Sequence, residues 1–91
     1  MIVVVSYDVP DDKRRLRLAK LLLDFGKRVQ YSVFECDLTP GQIDAMLQRI
    51  NKVVDEEADS VRVYRLCAAC EKTVTIIGQG ELNRDELFYL V

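Results

Sequence analysis

The apolar run at the start of the chain is the feature that most constrains its fold. Ile2-Val3-Val4-Val5 continues directly into Ser6-Tyr7-Asp8. A β-branched run with no polar alternation is typical of a strand at the centre of a sheet that is covered by helices. Residues 2–7 are therefore predicted to form a central strand, whose C-terminal end delivers one carboxylate, Asp8.

Two helices are predicted from their start signals and their apolar spacing. The first begins at Pro10-Asp11-Asp12, runs to about Phe25 and ends at Gly26. The second begins at Thr39, with Pro40 at the first helical position and Gln42 completing a capping box, and runs to about Glu57. Their apolar faces are predicted to pack in the core and include Leu18, Ala19, Leu21, Leu22, Phe25, Ile43, Met46, Leu47, Ile50, Val53 and Val54.

The extended segment between the helices contains a fault in its alternation. Apolar residues occupy odd positions up to Val33 and even positions from Phe34 onward. One regular strand cannot keep both sets on the same face. A bulge or a tight reversal is therefore predicted near 31–33, and two short strands are favoured over one long strand.

The C-terminal third is predicted to add further strands. Residues 61–66 alternate, residues 72–77 form a short β-branched run, and residues 87–91 form a last apolar run. The order is β-α-β-β-α-β with one or two extra strands, which is the ferredoxin-like α+β sandwich. We expect a single domain over 1–91, with a core of about 1–78 and a tail, 79–91, that docks on a partner protomer.

The size of the chain favours self-association. A domain of 91 residues buries only roughly 60–65% of its unfolded surface, so a homodimer would bury usefully more. No apolar stretch approaches the roughly 20 residues of a membrane span, and no signal peptide is evident. We therefore expect a cytoplasmic protein with no membrane partner. Three cysteines, an odd count, argue against a disulfide scaffold.

Basic side chains are concentrated in one segment although the net charge is −2. Residues 13–28 hold seven basic side chains against one acidic side chain, whereas residues 55–59 hold four acidic ones. Such a polarised chain can present a basic face to phosphate, and a solvated helix face is the equally open alternative. The basic side chains are Lys13, Arg14, Arg15, Arg17, Lys20, Lys27 and Arg28.

The absence of histidine narrows the chemistry that the chain could perform. It excludes Ser-His-Asp triads, histidine acid–base catalysis and histidine-dependent zinc sites. Asp8 is the best candidate metal ligand, since carboxylates suit Mg²⁺. The structural alternatives are an ion pair with Arg15, which the helical periodicity points inward, or a cap on the following turn.

Cys67-Ala-Ala-Cys70 is the second candidate for chemistry. Its spacing fits half of a four-ligand zinc site, to which Cys36 could add a third ligand or a second protomer the other two, and it also fits a redox pair. Thioredoxin-like pairs lie between a strand and a helix, whereas strands are predicted on both sides of this pair. Two small residues in a hairpin loop are the simplest interpretation.

Four stretches resemble the CRISPR-associated Cas2 family, in matching order over nearly the whole chain. They are residues 5–9, 13–17, 26–36 and 59–66, and Arg-Val-Gln-Tyr-Ser-Val-Phe-Glu (28–35) is the most specific. The resemblance implies a ferredoxin-like homodimer whose C-terminal strand adds to the partner's sheet. It implies one Mg²⁺ per dimer interface, bound by Asp8 of both protomers. Positions linked in the family to nuclease activity or to the cleft are matched by Tyr7, Asp8, Arg15, Arg17, Arg28 and Phe34.

The resemblance also implies a function in CRISPR adaptation, the acquisition of spacers. The homodimer would bind duplex protospacer DNA and bridge integrase subunits in a heterohexameric complex. Mg²⁺-dependent endonuclease activity on DNA or single-stranded RNA is a further expectation, and a toxin-like mRNA endoribonuclease of the same fold is the alternative. The nucleic-acid contacts are expected from Lys13, Arg14, Arg17, Lys20, Lys27 and Arg28.

Overall fold

The computed structural model describes residues 1–82, and these form a β-α-β-β-α-β chain followed by a short helix. The sheet has the strand order β2-β3-β1-β4, and its paired neighbours are all antiparallel. The predicted ferredoxin-like α+β fold is therefore confirmed. The elements are β1 (Ile2–Asp8), α1 (Asp12–Leu23), β2 (Lys27–Gln30), β3 (Val33–Asp37), α2 (Pro40–Val53), β4 (Ser60–Leu66) and α3 (Ala68–Glu71).

β1 is the central strand, as its apolar sequence predicts. Val5 pairs with Phe34 of β3 on one side and with Val63 of β4 on the other. Because side chains alternate along a strand, the odd-numbered residues share one face, and Val3, Val5 and Tyr7 are all buried in the core. The even-numbered Val4 and Ser6 are only half-buried, so helices cover one face of this strand rather than both.

The helices begin where their capping residues predict. The Asp11 carboxylate accepts the Arg14 backbone N–H at 2.9 Å, at the start of α1. The Thr39 hydroxyl accepts the Gln42 N–H at 3.3 Å, while the Gln42 side chain accepts the Thr39 N–H at 2.9 Å, which is the predicted capping box. α2 ends at Val53 rather than near Glu57, because Val54 is extended and a separate turn follows it. None of the helices that the structure describes is long and apolar enough to cross a membrane.

The alternation fault separates β2 from β3, as predicted. The strands pair around a turn at Tyr31-Ser32, and their register shifts between Arg28 and Gln30. Every residue of β2 is exposed, whereas Phe34 and Cys36 of β3 both reach the core.

Gly26 allows the chain to pass close to β3 after α1. It follows α1 as predicted, and its backbone is not in the left-handed region. A Cβ at this position would collide with the Glu35 carbonyl oxygen and would lie 2.8 Å from the Cα of Cys36. The glycine is therefore required by the close approach of two backbones.

The predicted strand at Lys72–Ile77 is wrong. Residues 68–71 form α3, which ends in a turn, and the chain to residue 77 has no regular structure. Strand propensity depends on a neighbour that can pair, and within the described residues no strand pairs with this segment. The predicted last strand, 87–91, lies outside the described residues, and the docking of the tail on a partner stays a prediction.

An ion pair joins the start of α1 to the loop before β4. Arg14 donates from Nε and Nη2 to the two carboxylate oxygens of Asp59, at 2.8 and 3.0 Å. The Asp59 side chain is fully buried and also accepts the Asp55 N–H at 2.8 Å. Asp55 in turn accepts the Glu57 N–H. The carboxylates of Asp59 and Asp55 therefore both order this loop.

Replacing Gly26 with alanine should destabilise the fold by about 1–3 kcal/mol, the usual cost of inserting a group into a packed site. Chemical denaturation followed by circular dichroism measures the change. Gly41→Ala is the matched control, because a Cβ there meets no atom within 4 Å. Equal free energies of unfolding for the two variants would contradict the close-approach explanation.

Replacing Asp59 with asparagine should lower the free energy of unfolding at neutral pH. The hydrogen bond from Arg14 lowers the pKa of Asp59 below its usual value. Stability from such a group is fully present above the unfolded pKa of about 3.9 and is lost as the pH falls through the lower, folded pKa. The difference between wild type and variant should therefore shrink below about pH 4.

Denaturant titrations over a range of pH test this dependence. Asp44→Asn, which changes an exposed carboxylate of α2, is the control and should leave the profile unchanged. A difference between wild type and Asp59→Asn that stays constant with pH would show that the ion pair does not stabilise the fold.

Candidate functional site

Asp8 lies at the C-terminal end of β1 with its side chain exposed. It shares the uncovered face of the sheet with Val4 and Ser6, and it faces Ser60 of β4 in the register. Within residues 1–82 its carboxylate forms neither a hydrogen bond nor an ion pair. The turn-capping alternative is therefore wrong for the described chain, and the carboxylate is open to a ligand or a second protomer.

Arg15 does not pair with Asp8 within the chain, so that expectation is wrong. Its guanidinium donates to the backbone carbonyls of Val9, at 3.0 Å, and Pro10, at 3.5 Å, and it forms an ion pair with Asp12. The hydrogen bond to Asp12 raises the pKa of Arg15 above its usual value, and Tyr31 adds to the effect. These partners lie within one helical turn of Arg15 or in the loop between β1 and α1.

Tyr7 and Phe34 belong to the core rather than to an exposed cleft. Tyr7 is 5% exposed and Phe34 is fully buried, and their ring centroids are 6.3 Å apart. The Arg28 guanidinium lies over the Phe34 ring, 5.4 Å from its centroid. Strand alternation therefore places these side chains on the opposite face of the sheet from Asp8, and catalytic functions for Tyr7, Arg28 and Phe34 stay predictions.

The outer surface of the two long helices contains a basic groove. It has a volume of about 550 Å³ and is lined by Arg17 and Lys20 of α1 and by Arg49 and Lys52 of α2. The groove contains one carboxylate, Asp24, which accepts from Arg49 at 2.9 Å. Arg49 also lies over the Phe25 ring, 5.3 Å from its centroid, so it is held in place while three further cations line the groove. This arrangement suits an anionic, extended ligand.

The other predicted nucleic-acid contacts are dispersed. Lys13 is exposed on α1, and Lys27 and Arg28 lie on the edge strand β2. Arg14 is engaged with Asp59, so its guanidinium already has a structural function. Only Arg17 and Lys20 of the predicted set line the groove.

Arg49 and Lys52 were not predicted from the sequence as binding residues. They are isolated cations in a helix of mixed charge, so they do not form a cluster of basic residues in the sequence. The signal that could have identified them is their position on the polar side of α2, combined with the expectation that both helices cover one face of the sheet. Cations on facing edges of two neighbouring helices then lie together.

Asp8 offers one carboxylate ligand for a divalent metal. Among the described residues no group of three or more histidine, cysteine or acidic side chains is placed to hold a metal ion. An exposed, unpaired carboxylate suits Mg²⁺, which often takes only one or two protein carboxylates. The donor therefore fits the metal.

Comparisons with known proteins agree with the fold. The structure matches the crystal structure of Streptococcus pyogenes Cas2 at pH 6.5 with a TM-score of 0.74 and 40% identity, covering 86% of this chain and 100% of that one. It also matches a chain of a partial Cas6-RT-Cas1–Cas2 complex, with a TM-score of 0.72 and 30% identity, covering 84% of this chain and 83% of that one.

The sequence comparisons identify the family. A relative from Chloroflexus aurantiacus, named CRISPR-associated endoribonuclease Cas2 1, is 48% identical over 81 residues, which cover 88% of this chain and 87% of the relative. A Thermus thermophilus protein named CRISPR-associated endoribonuclease Cas2 is 44% identical over 84 residues, covering 92% and 89%. The family model for CRISPR associated protein Cas2 matches residues 1–74. The chain belongs to the CRISPR-associated Cas2 family.

Proposed function

We propose that this protein acts in the cytoplasm in CRISPR adaptation, as a homodimer that binds duplex DNA and bridges integrase subunits during spacer acquisition. The basic groove between α1 and α2 is the observation that carries the proposal. Membership of the Cas2 family and the likeness to a chain of a Cas1–Cas2 complex support it, and they favour adaptation over a toxin-like ribonuclease.

The charges of the groove suit the phosphate backbone of DNA. Arg17, Lys20 and Lys52 line it with no carboxylate paired to them within the described residues, and Asp24 is already engaged by Arg49. A duplex carries one negative charge per roughly 1.7 Å of its axis, and neutralising phosphates releases counterions. Contacts of this kind position DNA without reading its sequence, as expected of a protein that handles protospacers of any sequence.

The uncovered face of the sheet supports the dimer. Val4 and Val33 are half-buried on this face, and Tyr64 is 49% exposed beside them in the register. A second copy of the chain placed here would bury this apolar surface. Because Asp8 lies on the same face, such a dimer brings the two Asp8 carboxylates into one interface.

A Mg²⁺-dependent endonuclease activity is the second proposal, and the unpaired Asp8 carboxylate favours it. The two Asp8 side chains of the dimer would hold the ion. Bound Mg²⁺ would supply positive charge beside a scissile phosphate. Asp8 would anchor that charge at the interface, on a different surface from the basic groove, so the two proposals rest on separate sites.

Reversing the charge of Arg17 and Lys20 together should weaken binding to duplex DNA. If each side chain contacts one phosphate, the slope of log affinity against log salt concentration should become shallower by about 2 for each protomer that contacts the duplex. Fluorescence anisotropy with a labelled duplex at several salt concentrations measures both quantities. Arg49→Glu with Lys52→Glu should produce a similar loss.

The control for this experiment reverses two exposed cations outside the groove. Arg65→Glu with Lys72→Glu makes the same change in net charge at the end of β4 and after α3. Equal weakening by the control and by the groove variant would show that overall charge, rather than the groove, governs binding.

Replacing Asp8 with asparagine should lower kcat/KM for Mg²⁺-dependent cleavage of RNA or DNA by on the order of a hundredfold or more, as for other losses of charge stabilisation at a reacting group. The substitution should also remove any rise in Tm that Mg²⁺ produces in the wild-type dimer, because the ligand is lost. Affinity for duplex DNA should be unchanged.

Asp44→Asn is again the matched carboxylate control and should keep full activity. Equal cleavage by Asp8→Asn and wild type, or cleavage that persists in a chelator, would exclude the nuclease proposal. Neither result would affect the DNA-binding proposal, which rests on the other face of the molecule.

A further inference from the structure

The pair Cys67 and Cys70 lies where β4 ends and α3 begins. Cys67 is the residue that caps α3, and its Sγ accepts the backbone N–H of Cys70 at 3.4 Å. Both thiols are exposed and free. The prediction that strands flank the pair on both sides is therefore wrong. The pair lies between a strand and a helix, which is the setting of thioredoxin-like redox pairs.

The spacing of the two residues is compatible with a disulfide bond. Positions three apart in helical geometry have Cα atoms about 5 Å apart. That separation falls inside the range of about 4.4–6.8 Å that disulfides span. The contact between Cys67 Sγ and the Cys70 amide shows that the first side chain already points toward the second residue. The ring can therefore close without moving the end of β4.

The two thiols have different chemical environments. Hydrogen bonds from the backbone N–H and the thiol of Cys70 lower the pKa of Cys67, whereas the contact with Cys67 raises the pKa of Cys70. Burial raises the pKa of the third thiol, Cys36, to about 11. Because the thiolate is the attacking species, Cys67 is the nucleophile of the pair and Cys36 is a chemically inert reference in the same chain.

We propose that Cys67 and Cys70 form a reversible dithiol–disulfide site that exchanges with small-molecule disulfides of the glutathione type. The Cys67 thiolate attacks one sulfur of the disulfide, which releases the first thiolate and leaves a mixed disulfide. Cys70 then loses its proton and attacks the Cys67 sulfur, which releases the second. The protein gives up two protons and two electrons, and the disulfide is reduced to two thiols.

The site is separate from the Asp8 end of the sheet. Cys67 follows Leu66, which pairs with Ile2 at the start of β1, and six residues of strand, about 20 Å, separate Ile2 from Asp8. Glu71 of α3 accepts the Ile2 N–H at 3.1 Å, so α3 is tied to the first strand. Closing the disulfide would fix the turn through which the chain leaves β4.

Equilibration of the full-length protein with reduced and oxidised glutathione at several ratios tests the proposal. Acid quenching, peptide mapping and mass spectrometry should reveal an internal Cys67–Cys70 disulfide whose fraction follows the ratio and which dithiothreitol removes. Cys70→Ser should instead accumulate a mixed disulfide between Cys67 and glutathione. Cys36→Ala should form the internal disulfide as the wild type does.

Alkylation rates give an independent readout. In the reduced protein near neutral pH, Cys67 should react with iodoacetamide at least about tenfold faster than Cys36, because its thiolate fraction is larger. Faster reaction of Cys70 than of Cys67 would overturn the assignment of the nucleophile.

Three further outcomes would overturn the proposal. The first is the absence of an internal disulfide at every glutathione ratio. The second is oxidation that links Cys67 only to a second chain. The third is a zinc ion that copurifies with the wild type, is lost in Cys67→Ser and blocks exchange, since a cysteine zinc site would then explain the pair.

Discussion

The alternation of side chains along β1 places Asp8 on the face of the sheet opposite to the helices and their basic groove. Val3, Val5 and Tyr7 enter the core on the helical face, and the next residue, Asp8, is on the other face. Because the period is two, a slip of one residue would bury the carboxylate and expose the aromatic ring. Pairing with a strand on each side fixes this register, so the Asp8 site and the helical surface are kept apart by the sheet itself.

The basic segment illustrates how partners divide one run of like charges into different functions. Arg14 and Asp59 form an ion pair that orders the loop before β4, and Arg15 is engaged at the start of α1. Arg17 and Lys20 instead face cations of α2 across a groove. A net charge of −2 therefore coexists with a surface suited to phosphate. The acidic residues of the segment 55–59 lie apart from the groove, and one of them, Asp59, pairs with Arg14.

Features with local signals could be predicted from the sequence, and features that depend on distant neighbours could not. The Thr39 capping box and the break between β2 and β3 follow from adjacent residues, and both are present. The segment 72–77 has strand propensity but no pairing partner within the described residues. The requirement for glycine at position 26 comes from its contact with β3, a strand that the sequence does not place beside it. The basic groove required the relative position of two helices, so only its α1 side was identified.

The pairing of β1 with β4 has a consequence for how the protein folds during synthesis. The strand at the centre of the sheet leaves the ribosome first, and one of its two neighbours is the last strand of the sheet to be made. Until then one edge of an apolar strand has no partner. Pairings between distant segments are slow to form and leave the incomplete chain prone to association. The β1–β3 pairing is available earlier, but it covers only the other edge of β1.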